Sequence, residues 1–255
     1  MRRSKASAFL FFAALLALPA ASSAEMPRLP ALSADAEKVS VSGLSAGGFM
    51  AVQYAVAFSA STMGVGVVAG GPYNCAWVSL RGIATCMQGS PRGEAAYSAA
   101  LGFAALGQID AVSHLARQKV YLFSGTADAV VAPSVVEATH AFFRAAKVPE
   151  ENLLYVNSLP AGHAFLSDQF GAACEANASP FVNACEDAEQ LYDQPGAILK
   201  HLHGPLKPEA TALSAEPIAF DQTEFAGAVA SRMAKEGFVY IPQACRTGGC
   251  AVHVV

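Results

Sequence analysis

The fold of this chain is decided by Val41-Ser-Gly-Leu-Ser45-Ala-Gly-Gly-Phe-Met50, the stretch VSGLSAGGFM. Residues 38–42 alternate apolar and polar side chains, as a short strand does, and residues 47–58 carry apolar side chains at helical spacing. The serine therefore stands on a sharp turn between a strand and a helix, with Gly43 and Gly47 on either side. This arrangement predicts a nucleophile elbow, in which glycines relieve the crowding of the turn and the serine projects over the end of a sheet.

Strand and helix patterns continue to alternate along the chain. The further predicted strands are residues 63–69, 119–123 and 153–156, and the further predicted helices are residues 94–115 and 134–146. Such alternation favours an α/β fold with a mostly parallel sheet and helices on both faces. No internal repeat or low-complexity linker marks a boundary, so we expect one catalytic domain over residues 25–255.

A serine hydroxyl becomes a strong nucleophile when a histidine takes its proton and a carboxylate holds that histidine in the right tautomer. Asp128 follows one predicted strand and His163 follows the next, which places both on the edge of the sheet where ligands bind. The order Ser45, Asp128, His163 is also the order used by α/β-hydrolases. We therefore predict these three residues as a catalytic triad, with the amide N–H of Ala46 as an oxyanion donor.

Other motifs have weaker functional interpretations. The aromatic residues Tyr73, Trp77 and Phe49 are candidates for lining a substrate groove, although aromatic side chains near loops mostly just pack. Asn177-Ala-Ser179 matches a glycosylation acceptor, which is a frequent chance match. The remaining histidines fall in predicted helices, at helix ends or in an apolar strand, where a structural role is expected.

The composition limits the classes of partner. The 255 residues are 53% hydrophobic and 14% charged, enough for one substantial core, with a formal net charge of −4. This balance gives no basic surface for nucleic acid or for an anionic membrane. A neutral or small organic substrate fits better, and the proposed chemistry requires no metal or organic cofactor.

The N-terminus predicts export. Arg2, Arg3 and Lys5 form a positive region, residues 8–20 are apolar, and Ser22-Ser23-Ala24 is a small-residue cleavage site. Residues 1–24 therefore read as a secretory signal peptide. A membrane anchor is the alternative, but the apolar run is shorter than the roughly 20 residues of a spanning helix. We expect a secreted protein, extracellular or periplasmic, with no membrane segment in its mature form.

The cysteine pattern agrees with an oxidising destination. An even number of cysteines lies in the mature part, as three pairs that are close in sequence, and we expect each pair to form a local disulfide. The expected pairs are Cys75 with Cys86, Cys174 with Cys185, and Cys245 with Cys250. A zinc site is the alternative, but no C-x-x-C spacing occurs, and no histidine lies at finger spacing from a cysteine pair.

Several ordered blocks of the sequence resemble a known family. GLSAGGFMA, AGGPYNCA, TCMQG, QKVYLFSGTADAVVAP, AGHAF, SPFVNAC and FVYIPQAC are similar to the secreted single-domain polyhydroxybutyrate depolymerases, from about residue 39 to the last residue. Their esterase family also includes feruloyl and acetylxylan esterases. The resemblance implies hydrolysis of poly(3-hydroxybutyrate) or its oligomers, with Ser45 as nucleophile, His163 as general base and Asp128 as its orienting carboxylate.

The resemblance also implies a circularly permuted strand order. In similar proteins the elbow comes first, and the strands that usually precede it return at the C-terminus, here as residues 238–242 and 251–255. The last of these strands then continues into a His-Gly-Cys loop that completes the oxyanion hole. This chain ends at Val255, so we expect an α/β-hydrolase-like fold that is incomplete at its C-terminus and has no candidate for the second oxyanion donor.

Three functional hypotheses remain open at this point. The first is a serine esterase acting on polyester or oligoester, and the second is a feruloyl or acetylxylan type of carbohydrate esterase. The third, of a different class, is a noncatalytic truncated remnant that only binds. The sequence leaves the oligomeric state and the preference between polymer and oligomer undetermined.

Overall fold

The computed structural model describes residues 26–227 and 234–255. The predicted signal peptide, residues 1–24, lies outside the described residues. By packing, the chain forms two units. The larger comprises Leu32–Ser214 and Pro242–Val255, and the smaller comprises the described residues of Met1–Ala31 and Ala215–Ile241.

The larger unit is built on a five-stranded parallel sheet. Its strands are β1 (Val39–Leu44), β2 (Thr62–Val68), β3 (Lys119–Phe123), β4 (Leu153–Val156) and β11 (Val252–Val254). They lie side by side in the order β11-β1-β2-β3-β4. The strand that comes last in the chain therefore pairs with the first, at Val39 with Val252. This pairing is the permuted order that the resemblance implied.

Helices cover both faces of this sheet, as expected because the strands of a parallel sheet are usually buried on both sides. The helices are α1 (Ala46–Ala57), α2 (Cys75–Val78), α3 (Ile83–Gln88), α4 (Gly93–Ala105), α5 (Pro133–Ala145) and α6 (Gln194–His203). Short 3-10 helices occur at Val112–Arg117, Glu150–Asn152 and Gln243–Cys245. In the described part of the chain, no helix is long and apolar enough to cross a membrane.

The two faces are distinguished by the period of two within each strand. Along β3, Val120 and Leu122 pack into the core shared with α1, α4 and α5, whereas Tyr121 and Phe123 pack into a second core under α6. All four side chains are buried. The continuous apolar sequence of β3 is therefore explained by burial on both sides.

The loops on the larger unit carry two short two-stranded pairings and local cross-links. The two-residue strands are β5 (Phe165–Leu166), β6 (Val182–Asn183), β7 (Glu186–Asp187) and β8 (Gln190–Leu191). β5 pairs with β6, and β7 pairs with β8. The disulfides join Cys75 to Cys86, Cys174 to Cys185 and Cys245 to Cys250, which confirms all three predicted pairs.

Two sequence predictions are wrong. The predicted helix over residues 94–115 ends at Ala105, because Gly107 takes a left-handed φ of 69° and its N–H bonds back to the Ala104 carbonyl. The predicted strand over residues 238–242 is β10 (Glu236–Val239), and it does not join the main sheet. It pairs with β9 (Ile218–Asp221) as an antiparallel ribbon of the smaller unit. Between these two strands the short helix α7 (Thr223–Ala226) follows β9.

A partly buried polar cluster joins β11 to β1. The hydroxyl of Ser40 lies 2.8 Å from His253 Nδ1, and that of Ser42 lies 2.9 Å from His253 Nε2. From the end of α6, His203 Nε2 lies 3.0 Å from the Ser40 hydroxyl. Burial, and then the neighbouring His203, lower the pKa of His253 to about 4. Burial, followed by Lys119, also lowers the pKa of His203. The folded state therefore favours the neutral imidazoles.

This cluster predicts a loss of stability in acid. An unfolded histidine has a pKa of about 6.5, so the stabilisation is fully present above that pH and is lost as the pH falls from about 6.5 to about 4. Because the His253 ring is partly exposed, we expect a loss on the order of 1 kcal/mol. Urea unfolding of the wild type and of His253→Gln at pH 7 and pH 4.5 measures it. The same pH dependence in both proteins would contradict the assignment.

Candidate active site

Ser45 occupies a strained turn between β1 and α1. Its backbone has φ 55° and ψ −119°, its N–H bonds to the Val68 carbonyl at 2.9 Å, and α1 begins at the next residue. A non-glycine residue adopts such a conformation only when its surroundings hold it there, and this kind of strain collects at active sites. The predicted elbow is therefore present as strand, turn and helix.

The two glycines of the elbow are not equivalent. A Cβ on Gly43 would lie 2.4 Å from the Gly47 carbonyl carbon, so a side chain at 43 would collide with the backbone of the helix. A Cβ on Gly47 would meet nothing within 4 Å. The expectation that both glycines relieve crowding is thus correct for Gly43 and wrong for Gly47.

Asp128 and His163 form a buried pair on neighbouring loops. His163 Nδ1 lies 2.8 Å from Asp128 Oδ2, and both side chains are almost wholly buried. The other carboxylate oxygen, Oδ1, accepts the N–H groups of Val130 and Val131, each at 2.8 Å. These two bonds fix which oxygen faces the imidazole. Since Nδ1 is engaged, Nε2 is the ring atom left to exchange a proton.

The serine and the histidine are brought to the same edge of the sheet by the strand order. β1, β3 and β4 are parallel, and Ser45, Asp128 and His163 follow their respective carboxyl ends. Within residues 26–227 and 234–255, no hydrogen bond joins Ser45 Oγ to His163 Nε2. Catalytic hydrogen bonds are commonly long in unliganded enzymes and shorten when substrate binds.

The amide of Ala46 belongs to the first turn of α1, where backbone N–H groups lack intrahelical acceptors. The positive end of the helix dipole adds to their attraction for negative charge. The predicted oxyanion donor is therefore located where an anion would be stabilised.

An apolar cleft of about 470 Å³ opens beside the serine. Its walls include Ser45, Ala46, Phe49, Met50, Met87 and the Cys75–Cys86 disulfide. A larger cleft of about 660 Å³ lies beside α6 around Tyr192, and it contains none of the predicted triad. Size alone would therefore select a cleft without any predicted triad residue, whereas the smaller apolar cleft adjoins the predicted nucleophile.

The three aromatic candidates have different positions. Phe49 lines the cleft. Tyr73 does not, because the residue is only 8% exposed and its ring packs in the core against Phe103 and Phe142. Trp77 is 82% exposed, one residue beyond Ala76, which lines the cleft. Sequence reasoning missed the methionines of the cleft wall and the role of Asn177, whose side chain bonds to His163 N–H.

The sheet order, the elbow and the Asp–His pair together define a protein of the α/β-hydrolase class. No protein-family profile matches the chain. Poly(3-hydroxybutyrate) depolymerase of Delftia acidovorans is 41% identical over 236 residues, which cover 89% of this chain and 46% of that protein. Polyhydroxybutyrate depolymerase of Talaromyces funiculosus is 36% identical over 237 residues, covering 89% and 66%. The chain thus spans about half of one curated relative and about two thirds of the other.

Solved structures give the same result. The crystal structure of PHB depolymerase from Penicillium funiculosum superposes with a TM-score of 0.79 at 34% identity, covering 89% of this chain and 70% of that one. A serine-to-alanine variant of a PHB depolymerase, complexed with an R3HB trimer, matches with the same values. The chain belongs to the polyhydroxybutyrate depolymerase family.

Because two backbone N–H groups hold Oδ1 of Asp128, the effect of Asp128→Asn can be predicted. The asparagine oxygen would accept the Val130 and Val131 N–H groups, so its NH₂ would face His163 Nδ1 and force the proton onto Nε2. We expect kcat on a short-chain nitrophenyl ester to fall by about 10⁴, the effect of the wrong tautomer. Stopped-time assays with a matched unfolding curve check this, and a loss smaller than tenfold would contradict the assigned geometry.

Proposed function

We propose that this chain is a secreted serine esterase that hydrolyses poly(3-hydroxybutyrate) or short-chain hydroxyalkanoate oligomers through an acyl-enzyme. The observation that carries the proposal is an elbow serine at the wall of an apolar cleft, in a fold that also supplies a buried Asp–His pair. The relative complexed with an R3HB trimer supports the substrate class. That relative carries a serine-to-alanine substitution, which is consistent with removal of a nucleophile so that the trimer remains intact in the complex.

The proposed mechanism follows from the hydrogen bonds. His163 holds its Nδ1 proton against Asp128, so Nε2 accepts the proton of the Ser45 hydroxyl as Oγ attacks the ester carbonyl. The Ala46 N–H stabilises the negative charge that develops on the carbonyl oxygen. The protonated His163 then gives its proton to the departing alcohol. Water attacks the acyl-enzyme with His163 again as base, releasing the acid and restoring Ser45.

The lining of the cleft favours a polyester over a carbohydrate ester. A polysaccharide presents many hydroxyl groups, which need polar partners in the site. Phe49, Met50, Ile83 and Met87 offer apolar surface instead, which suits the methylene and methyl groups of a hydroxybutyrate chain. Gln53 is one of the few polar side chains there, and its amide is already bonded to Asn74 N–H and the Phe49 carbonyl.

Secretion is part of the same proposal. Three disulfides with no free cysteine among the described residues suit an oxidising compartment, which agrees with the predicted signal peptide. The bonds also matter to the site, because Cys75 and Cys86 belong to the wall of the cleft.

The test is hydrolysis of a 3-hydroxybutyrate trimer by the purified, disulfide-bonded chain. We expect turnover that is lost by at least 10³-fold in Ser45→Ala, because no other nucleophile replaces the hydroxyl. Ser98→Ala is the matched control, since that hydroxyl bonds only to Glu94 within α4. Feruloyl and acetyl esters are assayed in parallel.

Each outcome is decisive. Faster hydrolysis of the feruloyl or acetyl ester than of the trimer would replace the polyester assignment with the carbohydrate one. A folded chain that hydrolyses none of these esters would contradict the enzymatic proposal and favour the noncatalytic alternative.

A further inference from the structure

One side chain connects the loops that carry Asp128 and His163. The oxygen of Asn177 accepts the N–H of His163 at 2.8 Å and the N–H of Ala129 at 2.9 Å. Its NH₂ group donates to the carbonyls of Ala127 at 3.0 Å and Glu175 at 2.9 Å. An asparagine amide offers two acceptor and two donor positions, and all four are used here.

These bonds hold the backbone on both sides of Asp128 and at His163 itself. Ala127 and Ala129 flank the carboxylate residue, so Asn177 ties its loop to the loop of the histidine from outside the reacting atoms. The bond between Asp128 Oδ2 and His163 Nδ1, at 2.8 Å, spans the same two loops. A shift of either loop would change that bond first.

We infer that Asn177 is a positioning residue, which sets the geometry of the Asp128–His163 pair without touching substrate. The inference rests on the proposed function only in assuming that Ser45, Asp128 and His163 act as a catalytic triad. It goes further by assigning the alignment of two triad members to a residue from a third loop.

The segment that carries Asn177 is itself firmly held. The Cys174–Cys185 disulfide closes it, and the buried Asn183 donates to the carbonyls of Cys174 and Ala176, each at 2.8 Å. A Cβ on Gly162, next to His163, would lie 2.2 Å from the Ala176 carbonyl oxygen, so the two loops are in close backbone contact. Asn177 therefore acts from a rigid support.

Comparison with Asn183 shows that the bonds of Asn177 do more than stabilise its own loop. The two bonds of Asn183 Nδ2 stay within the disulfide loop. Three of the four bonds of Asn177 leave it, to Ala127, Ala129 and His163. Internal stabilisation of the loop and alignment of the catalytic pair are thus divided between two asparagines.

The same contacts bear on the Asn177-Ala-Ser179 acceptor pattern. A glycan on Nδ2 would replace one of its two hydrogens, so one of the bonds to Ala127 and Glu175 would be broken. The Asn177 side chain therefore cannot carry a glycan and also keep all four of its hydrogen bonds. Ser179→Ala removes the acceptor pattern and leaves the Asn177 amide intact, which makes it a useful control.

The first test compares Asn177→Ala with Asn183→Ala and Ser179→Ala on the trimer. For Asn177→Ala we expect kcat to fall about 10- to 100-fold while KM changes less than about twofold, because misalignment affects the chemical step. Asn183→Ala should lower the unfolding temperature and keep kcat within about twofold of the wild type. Ser179→Ala should change neither.

The second test reads the Asp–His bond without any substrate. The far-downfield proton resonance of His163 Nδ1–H, identified by its loss in His163→Gln, should be present in the wild type, Asn183→Ala and Ser179→Ala. It should be broadened or absent in Asn177→Ala, which opens the bond to exchange with water. If the wild type hydrolysed no ester, the proposed function would fail and this resonance would still decide the inference.

Three results would overturn it. Asn177→Ala with unchanged kcat and an unchanged resonance would show that the pair aligns without the bridge. If Asn183→Ala lowered kcat and weakened the resonance as much as Asn177→Ala does, general loosening of the loop would explain both effects. A wild type without the resonance would show that no fixed Asp128–His163 bond exists.

Discussion

The rest of the site depends on one backbone contact, the approach of Gly43 to Gly47 beneath Ser45. It closes the turn so tightly that Ser45 is held at φ 55° and ψ −119°, a conformation that costs on the order of 1–3 kcal/mol. The cost is offset by the burial of β1 and by the bond from Ser45 N–H to the Val68 carbonyl. As a result Ser45 lies at the carboxyl edge of the sheet, where it lines the apolar cleft together with Ala46, the first residue of α1.

The remaining parts of the site reach that edge through parallel strand order. β2, β3 and β4 follow β1 side by side, so the loops after β3 and β4 place Asp128 and His163 at the same edge of the sheet as the elbow. On the opposite side, β11 is fastened to β1 by the serine and histidine cluster directly below the turn. The strand that carries the nucleophile is thus supported on both edges, and Asn177 adds a link between the two loops on one side.

The sequence predicted those parts of the structure that are decided by local pattern. β3 and β4 were located to the residue, because a short apolar run between turn residues has few alternative interpretations. The helix at α5 was close to its observed bounds, with Pro133 in its first turn. Asp128 and His163 could be chosen because each follows a strand, and the disulfides because each cysteine pair spans a short loop.

Other features depend on contacts between residues distant in sequence, which no local pattern contains. Tyr73 and Trp77 are both aromatic and four residues apart, yet one is in the core and the other is 82% exposed. β10 has a plausible strand sequence, but its partner β9 decides which sheet it joins. The bonds of Asn177 to Ala127 and Ala129 cross about fifty residues, so the sequence suggested only a glycosylation acceptor.

The measurement that tests this account most directly is the rate at which a fluorophosphonate labels Ser45 in Gly43→Ala and in Gly47→Ala. A Cβ at 43 would lie 2.4 Å from a backbone carbon, whereas a Cβ at 47 would meet nothing within 4 Å. The account predicts that Gly43→Ala abolishes labelling, with a loss of stability of about 3 kcal/mol, and that Gly47→Ala labels at close to the wild-type rate. Wild-type labelling by Gly43→Ala would contradict it, because the exposed nucleophile would then not depend on the contact beneath the elbow.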